Sequence, residues 1–242
     1  MNKPTILEFN SKDWAFQISL FLQREIQGYL ESNGKCSVVL TGGETAFALY
    51  KTWALLDSFK LNRNVSFYFG DERCIALTDS NSNYNLVLKS LFANGVPSSC
   101  SVFRMEADES DIKGAILRYE TVLPENPDIL LLGLGGDGHI ASLFPGSAAL
   151  LSTNRKVVMS KSPKFPFERV TITRQVIAGA KSLYLLACGQ AKGRILAAAL
   201  NSREDFISLP VRLTLSGNWL IDNEAAEQIN MELMNNKCNT IT

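Results

Sequence analysis

Apolar and polar positions along the chain fall into two regimes. Some runs are short and apolar throughout. "SVVLT" (Ser37–Thr41), "VSFYF" (Val65–Phe69), "DILLLGL" (Asp128–Leu134) and "SLYLLAC" (Ser182–Cys188) are of this kind. They predict strands buried on both faces. "SVFRM" (Ser101–Met105) and "KVVMS" (Lys156–Ser160) predict two more strands. Between the runs, apolar residues recur at helical spacing. Trp14, Ile18, Phe21, Leu22, Ile26, Tyr29 and Leu30 mark one face of a long helix. Further helices are predicted over Thr45–Phe59, Ser82–Phe92 with Ser82 as N-cap, Asp108–Leu123 with acids in its first turn, and Ala191–Leu200. Asp222 is placed to cap a last helix, "NEAAEQINMELM", and the polar tail after Asn235 is expected to fray. Strands of this kind alternating with helices predict a Rossmann-like α/β fold, a mostly parallel sheet with helices on both faces. With no repeat and no linker, one domain is expected over 1–242.

In open parallel sheets, ligands bind beyond the carboxyl ends of the strands. There the chain changes character four times. "GGET" follows "VVLT", "GDER" follows "VSFYF", "GGDGH" follows "DILLLGL", and "GQAK" follows "SLYLLAC". Four glycine-to-polar junctions converging on one sheet edge predict a site.

The loops differ in chemistry. In "GGET", Gly42 and Gly43 allow a tight turn into a helix starting at Thr45, whose free N–H groups suit a phosphate. Alone, the loop is equally a plain β–α turn. "GDER" gathers Asp71, Glu72 and Arg73. Arg73 offers a planar fork of donors for an anion, or a structural ion pair with its neighbours. In "GQAK", Lys192 opposes the dipole of its own helix, which suggests neutralisation of a phosphate; an exposed surface lysine is the plain alternative. Six basic residues, Arg155, Lys156, Lys161, Lys164, Arg169 and Arg174, share a stretch whose only acid is Glu168. They form either a basic wall or a solvated face. "GGDGH" holds His139, the only histidine of the chain, two residues after Asp137. Histidine exchanges a proton near neutral pH, and Asp137 is near enough to orient it. A strand-end position among glycines favours a reactive group over a capping one. Cys74 and Cys188 also lie at strand ends and read as small hydrophobes.

Composition narrows the partners. Lys+Arg and Asp+Glu are equal at 24 each, which argues against a protein built to bind nucleic acid or an anionic membrane. No apolar run is long enough for a membrane span, and the first residues do not resemble a signal peptide. Five scattered cysteines form no CxxC pair, so a cytoplasmic location is expected. One histidine with no cysteine pair near it leaves nothing for a zinc site; no metal and no cofactor are expected.

Taken together, "LTGGET", "GDERCIALTDSNSNYN", "DILLLGLGGDGHIASLFPGS", "PFERVTIT", "GQAK" and "WLIDNEAA" resemble the 6-phosphogluconolactonase family over roughly Ser37–Ala226. The resemblance implies hydrolysis of 6-phospho-D-glucono-1,5-lactone to 6-phosphogluconate in the oxidative pentose phosphate pathway, without metal or nucleotide. It implies a fold shared with hexosamine-6-phosphate deaminases. It makes His139 the catalytic base, with Asp137 and Arg73 in the catalytic group. Arg73 and loop N–H groups would stabilise the oxyanion, and Lys192 helped by Arg169 would hold the phosphate. Gly42, Gly43, Thr45 and Asp71 are expected among the substrate-binding residues. The expected partner is a phosphosugar lactone, and the expected state a monomer or weak homodimer. Two departures stand out. The family's glycine turn usually reads Gly-Gly-x-Thr-Pro, and here Glu44 occupies x and Ala46 the proline position. A carboxylate repels a phosphate, so Glu44 is expected to point away; otherwise this loop does not hold the phosphate. Ala76 also stands where members often have proline. Two alternatives remain: a glucosamine-6-phosphate deaminase, disfavoured because "IASLFPG" supplies no carboxylate after His139, and a non-catalytic sugar-phosphate-binding protein.

Overall fold

The four apolar runs lie side by side at the centre of one sheet. The computed structural model describes residues 3–201 and 205–239. In chain order, the first half forms β1 (Thr5–Phe9), α1 (Trp14–Asn33), β2 (Cys36–Leu40), α2 (Glu44–Trp53), α3 (Asp57–Lys60), β3 (Val65–Phe69), β4 (Asp71–Arg73), α4 (Asn83–Lys89), β5 (Ser101–Val102) and α5 (Ile112–Val122). The second half forms β6 (Ile129–Gly133), β7 (Val157–Lys161), β8 (Glu168–Ile172), α6 (Arg174–Gly179), β9 (Ser182–Ala187), α7 (Gln190–Asn201), β10 (Asn218–Asp222) and α8 (Asn223–Asn239). The main sheet has the order β1-β10-β9-β6-β2-β3-β5 and every pair in it is parallel. Helices pack around it, α1 against α2 and α7 against α8. This is the expected α/β fold. No helix among the described residues is long and apolar enough to cross a membrane.

Three features depart from the sequence reading. First, the helix expected over Thr45–Phe59 breaks into α2 and α3 at Leu56, whose backbone is extended (φ −67°, ψ 127°). Trp53 and Phe59 explain the break, being only 1% and 2% exposed. Six residues apart on one continuous helix they would face directions about 120° apart. The turn lets both rings reach the core, where their centroids are 5.6 Å apart. Second, "KVVMS" is not in the main sheet. As β7 it joins β8 and β4 in a small antiparallel sheet of order β4-β8-β7. "GDER", expected as a loop, and "ERVTI" are its other two strands, and Arg73 lies directly opposite Arg169. Third, the acids expected in the first turn of α5 precede it; Asp111 is its N-cap and accepts from Gly114 N at 3.0 Å.

Other expectations hold. Ser82 caps α4, accepting from Asn85 N at 3.1 Å. Asp222 caps α8, accepting from Ala225 N at 3.0 Å. Helix α8 continues past Asn235 to Asn239; the rest of the tail, 240–242, lies outside the described residues.

The strand order reverses between β2 and β6. Their ladder is short, pairing only Val38 with Ile129 and Val39 with Leu130. Beyond it the Thr41 hydroxyl accepts from Gly133 N at 3.0 Å. The buried Tyr50 hydroxyl then takes both backbone groups of Thr41, accepting from its N at 3.0 Å and donating to its O at 2.9 Å. Tyr119 does the same for Phe69 at the end of β3, at 2.8 and 2.9 Å. Crevices form at such a switch point.

Asp222 also reaches toward the cleft. The same oxygen that caps α8 accepts from Gly189 N at 2.9 Å, just before α7 and Lys192. Asp222→Ala should cost about 2 kcal/mol through the lost cap and an unsatisfied amide. Urea unfolding at constant m-value measures this, and a change below a few tenths of a kcal/mol would refute the tie.

Candidate active site

A cleft opens at the switch point and has two lobes. The first, about 270 Å³, is lined by Thr41–Ala46 after β2, Gly133–Gly135 after β6, Leu186 of β9 and Lys192 of α7. The second, about 510 Å³, is lined by Gly136, Asp137, Ser142, Phe144, the 162–165 turn between β7 and β8, and Arg169. Asp71, Arg73, His139 and Ala141 line both. His139, Asp137, Arg73, Gly42, Gly43, Thr45, Asp71, Arg169 and Lys192, the catalytic and substrate-binding candidates, all line this cleft. Lys192 and Arg169, expected to share one anion, line different lobes.

His139 sits at the junction, with its side chain 29% exposed. Its Nδ1 contacts Asp137 Oδ1, and its backbone N donates to the same oxygen at 3.2 Å. A carboxylate can only accept, so Nδ1 carries a proton, and in the neutral imidazole the lone pair is on Nε2. Nε2 has no hydrogen-bond partner among the described residues. Burial alone would raise the Asp137 carboxyl, but the His139 charge and hydrogen bonds outweigh it and hold Asp137 below the usual carboxylate range. The ring rests 4.5 Å from the Phe144 ring, centroid to centroid. It also lies flush over Gly135, where a Cβ would fall 2.1 Å from His139 Nδ1. Gly135 N closes the loop on His139 O at 2.8 Å.

The "GDER" strand is held by buried bonds. Glu72 accepts from the amides of Arg73 (2.7 Å), Asn83 (2.8 Å) and Tyr84 (2.7 Å), and from Ser82 Oγ (3.1 Å). Burial raises its carboxyl above the usual range, against those amides. Glu72 thus joins β4 to the start of α4 and takes no part in the cleft wall. Asp71 accepts from Asn83 Nδ2 at 3.1 Å and Ser142 Oγ at 2.6 Å, so each carboxylate oxygen has a partner. Arg73 Nη1 donates to the Asn81 carbonyl, and its buried Nε has no partner. Asn83 was not singled out in the sequence. Its side chain covers Gly42, where a Cβ would meet Asn83 Oδ1 at 1.9 Å.

Lys192 is half-buried; desolvation pulls its ammonium pKa down, opposed by Asp137 and Glu44. Glu44 is exposed and makes no ion pair with Lys192 among the described residues. It lines the first lobe, and its charge reaches Lys192. The cause is local: Gly43, at φ 95°, caps α2 and leaves Glu44 in the first turn, where the helix dipole favours a carboxylate. Of the six basic residues between Arg155 and Arg174, only Lys164 and Arg169 line the cleft. Arg155 forks onto Glu120 at 2.8–3.0 Å, Lys156 Nζ donates to the Leu123 carbonyl at 2.6 Å, and Arg174 lies over the Phe206 ring. Burial pushes the Cys74 and Cys188 thiols up to about 11 and about 12, the state of inert, not nucleophilic, sulfur. Among the described residues no cluster of three or more His, Cys, Asp or Glu could hold a metal ion.

Comparison with known proteins identifies the family. The family described as glucosamine-6-phosphate isomerases/6-phosphogluconolactonase matches residues 10–221. A 6-phosphogluconolactonase of Mycobacterium tuberculosis is 33% identical over 215 residues, 82% of this chain and 87% of that protein. The 6-phosphogluconolactonase 3 of Saccharomyces cerevisiae is 30% identical over 226 residues, 86% of this chain and 90% of that one. The structure of 6-phosphogluconolactonase from Trypanosoma cruzi superimposes with a TM-score of 0.79 at 25% identity, covering 94% of this chain and 97% of the other. The chain belongs to the glucosamine-6-phosphate isomerase/6-phosphogluconolactonase family.

The packing of His139 on Gly135 makes a direct prediction. Gly135→Ala drives a methyl group into the ring. The protein should stay folded while the imidazole loses its contact with Asp137. The single histidine gives one set of ring signals in NMR, so those signals should move; unmoved signals would show that the ring does not depend on this packing.

Proposed function

We propose that this protein hydrolyses 6-phospho-D-glucono-1,5-lactone to 6-phosphogluconate, with His139 as general base and no metal. The observation that carries the reading is the Asp137–His139 pair at the junction of the two lobes, one holding Lys192 and the other Arg169, with Nε2 free. A water held by Nε2 attacks C1 of the lactone and gives up a proton to the imidazole. Arg73, which lines both lobes, faces the oxyanion together with loop N–H groups. The intermediate collapses, the bond from C1 to the ring oxygen breaks, and the imidazolium returns its proton to that oxygen. Asp137 holds the tautomer and stabilises the transient imidazolium. General-base assistance contributes roughly 10²–10⁴ in rate. One oxyanion donor contributes about 3 kcal/mol.

Lys192 anchors the phosphate in the first lobe. The α2 N-terminus carries little of that task, because Glu44 already neutralises it. Gly42 and Gly43 give the lobe its width, Thr45 offers a hydroxyl to the sugar, and Asp71 braces Asn83 and Ser142 around it. A deaminase reading would want a carboxylate just after the histidine; Ile140 and Leu143 there are core residues. The direct test is a coupled assay in which lactone is made in situ and its loss is followed against spontaneous hydrolysis. A rate no faster than background would end the proposal.

Two variants divide the roles. His139→Asn should retain fold and substrate binding while kcat falls roughly 10²–10⁴-fold. In the wild type, kcat/KM should fall as acid protonates the free-enzyme imidazole, and that limb should coincide with the NMR titration of the single ring; a displacement of a full pH unit would make His139 structural. Lys192→Ala should raise KM while leaving kcat nearly unchanged, because it removes binding shared by ground and transition states. The unphosphorylated lactone should be indifferent to it. Equal harm to both substrates would place the phosphate elsewhere.

A further inference from the structure

One charge in the cleft is left without a partner. Arg169 is 7% exposed, yet its side chain makes no hydrogen bond or ion pair among the described residues. Its Nε and Nη1 are fully buried and unsatisfied. Buried charges are ordinarily paired, because leaving one alone costs several kcal/mol. The acids that could serve are engaged elsewhere: Asp71 with Asn83 and Ser142, Glu72 with the start of α4. Across the β4–β8 ladder stands a second guanidinium, Arg73, whose buried Nε is also unsatisfied. Both line the second lobe beside His139, with Ser162 and Lys164 near them. Lys192 is not part of this lobe.

We propose that Arg169, with Arg73, is a carboxylate subsite that receives the negative charge created at C1. The inference rests on the hydrolase reading above and adds an orientation to it. Hydrolysis adds water across the bond between C1 and the ring oxygen. The ring oxygen leaves as a hydroxyl, and the acid formed at C1 ionises, releasing a proton to solvent. The phosphate charge is unchanged throughout, whereas the C1 end goes from neutral to singly negative. A guanidinium unpaired in the empty cleft acquires its counter-ion only as that charge develops. Its fork of donors matches a carboxylate. Arg169 therefore acts on the transition state and product, and Lys192 on every phosphorylated species alike. Burial and the adjacent Arg73 also lower the Arg169 pKa, with only partial relief from Asp71 and Glu72, in keeping with a cation held without its counter-ion.

The test compares two ligands that share the phosphate and the carbon chain. 6-Phosphogluconate carries the carboxylate, and glucitol 6-phosphate has a neutral CH₂OH in its place. Calorimetric titration of the wild type should show tighter binding of 6-phosphogluconate. Arg169→Met should weaken it by about 10- to 100-fold, the loss of a charge-assisted contact, and leave glucitol 6-phosphate within about twofold. Arg169→Lys should recover part of the difference. Because the guanidinium is unpaired in the free protein, Arg169→Met should also melt no lower than wild type. Equal loss for both ligands would assign Arg169 to the phosphate or the hydroxyls and overturn the proposal. So would no loss for either, or a lowered melting temperature. A wild type that prefers the carboxylate but does not hydrolyse lactone would overturn the hydrolase reading alone; active enzyme with no such preference would overturn the subsite alone.

Discussion

The parting of β2 from β6 is the constraint on which the site depends. After two paired residues the ladder stops, and the backbone groups beyond it must find other partners. A buried amide left without one costs about 1–3 kcal/mol. Side chains fill the gap. The Thr41 hydroxyl takes Gly133 N, and the Tyr50 hydroxyl takes both backbone groups of Thr41. Tyr119 repeats the device at Phe69 on the neighbouring strand. The strands therefore remain fixed up to the point where the loops leave them. Glycine loops have little stiffness of their own, so their geometry is borrowed from these anchored ends.

The sheet centre was legible because strands covered on both faces must be apolar throughout, and β2, β3, β6 and β9 are. Its margins were not. Strands β1 and β10 contribute "TILEF" and "NWLID", where polar residues interrupt the pattern, and β1 at the edge is largely exposed. The small sheet escaped for a different reason. Strand β4 is three residues long and charged, and its partner β8 lies far along the chain. Strand β7 was legible as a strand, but not as the antiparallel partner of β8 outside the main sheet. The break between α2 and α3 follows the same logic, since burial of both Trp53 and Phe59 outweighs a continuous helical spacing.

In the site, the loops were legible and the divisions between them were not. Glycine-to-polar junctions located Gly42, Gly43, Arg73, Asp137, His139 and Lys192, all of which line the cleft. Nothing local could show that Asp71 meets Ser142, 71 residues away, or that Asn83 closes over Gly42. Nor could a run of basic residues reveal its own allocation. Arg155 and Lys156 fasten β7 to the end of α5, and only Lys164 and Arg169 face the cleft. Charge composition predicts a field, whereas pairing decides which charges remain available to a ligand. By that criterion Glu44 and Arg169 change the picture most. One is a carboxylate beside the lobe where an anion was expected to bind, and the other is a cation without compensation.

The lone histidine sits among glycines for a steric reason. Its ring occupies the space where a Gly135 side chain would be, so the loop and the imidazole exclude each other's bulk. Gly138, at φ 84°, turns the chain where a Cβ would lie 2.5 Å from Leu209 Cδ1. Such a loop could let the ring wander, and any reacting group that wanders loses the advantage of position. Rigidity enters from outside the glycines. Gly135 N binds His139 O, Asp137 holds both the ring and the His139 amide, and Val211 N reaches Gly138 O at 2.9 Å. Ala141 completes the turn at φ 47°, a conformation that costs a non-glycine residue on the order of 1 kcal/mol. It persists because Ile140 and Leu143 on either side are fixed in the core. The glycines make the room and the surrounding bonds remove the freedom, which leaves one nitrogen, Nε2, free for chemistry.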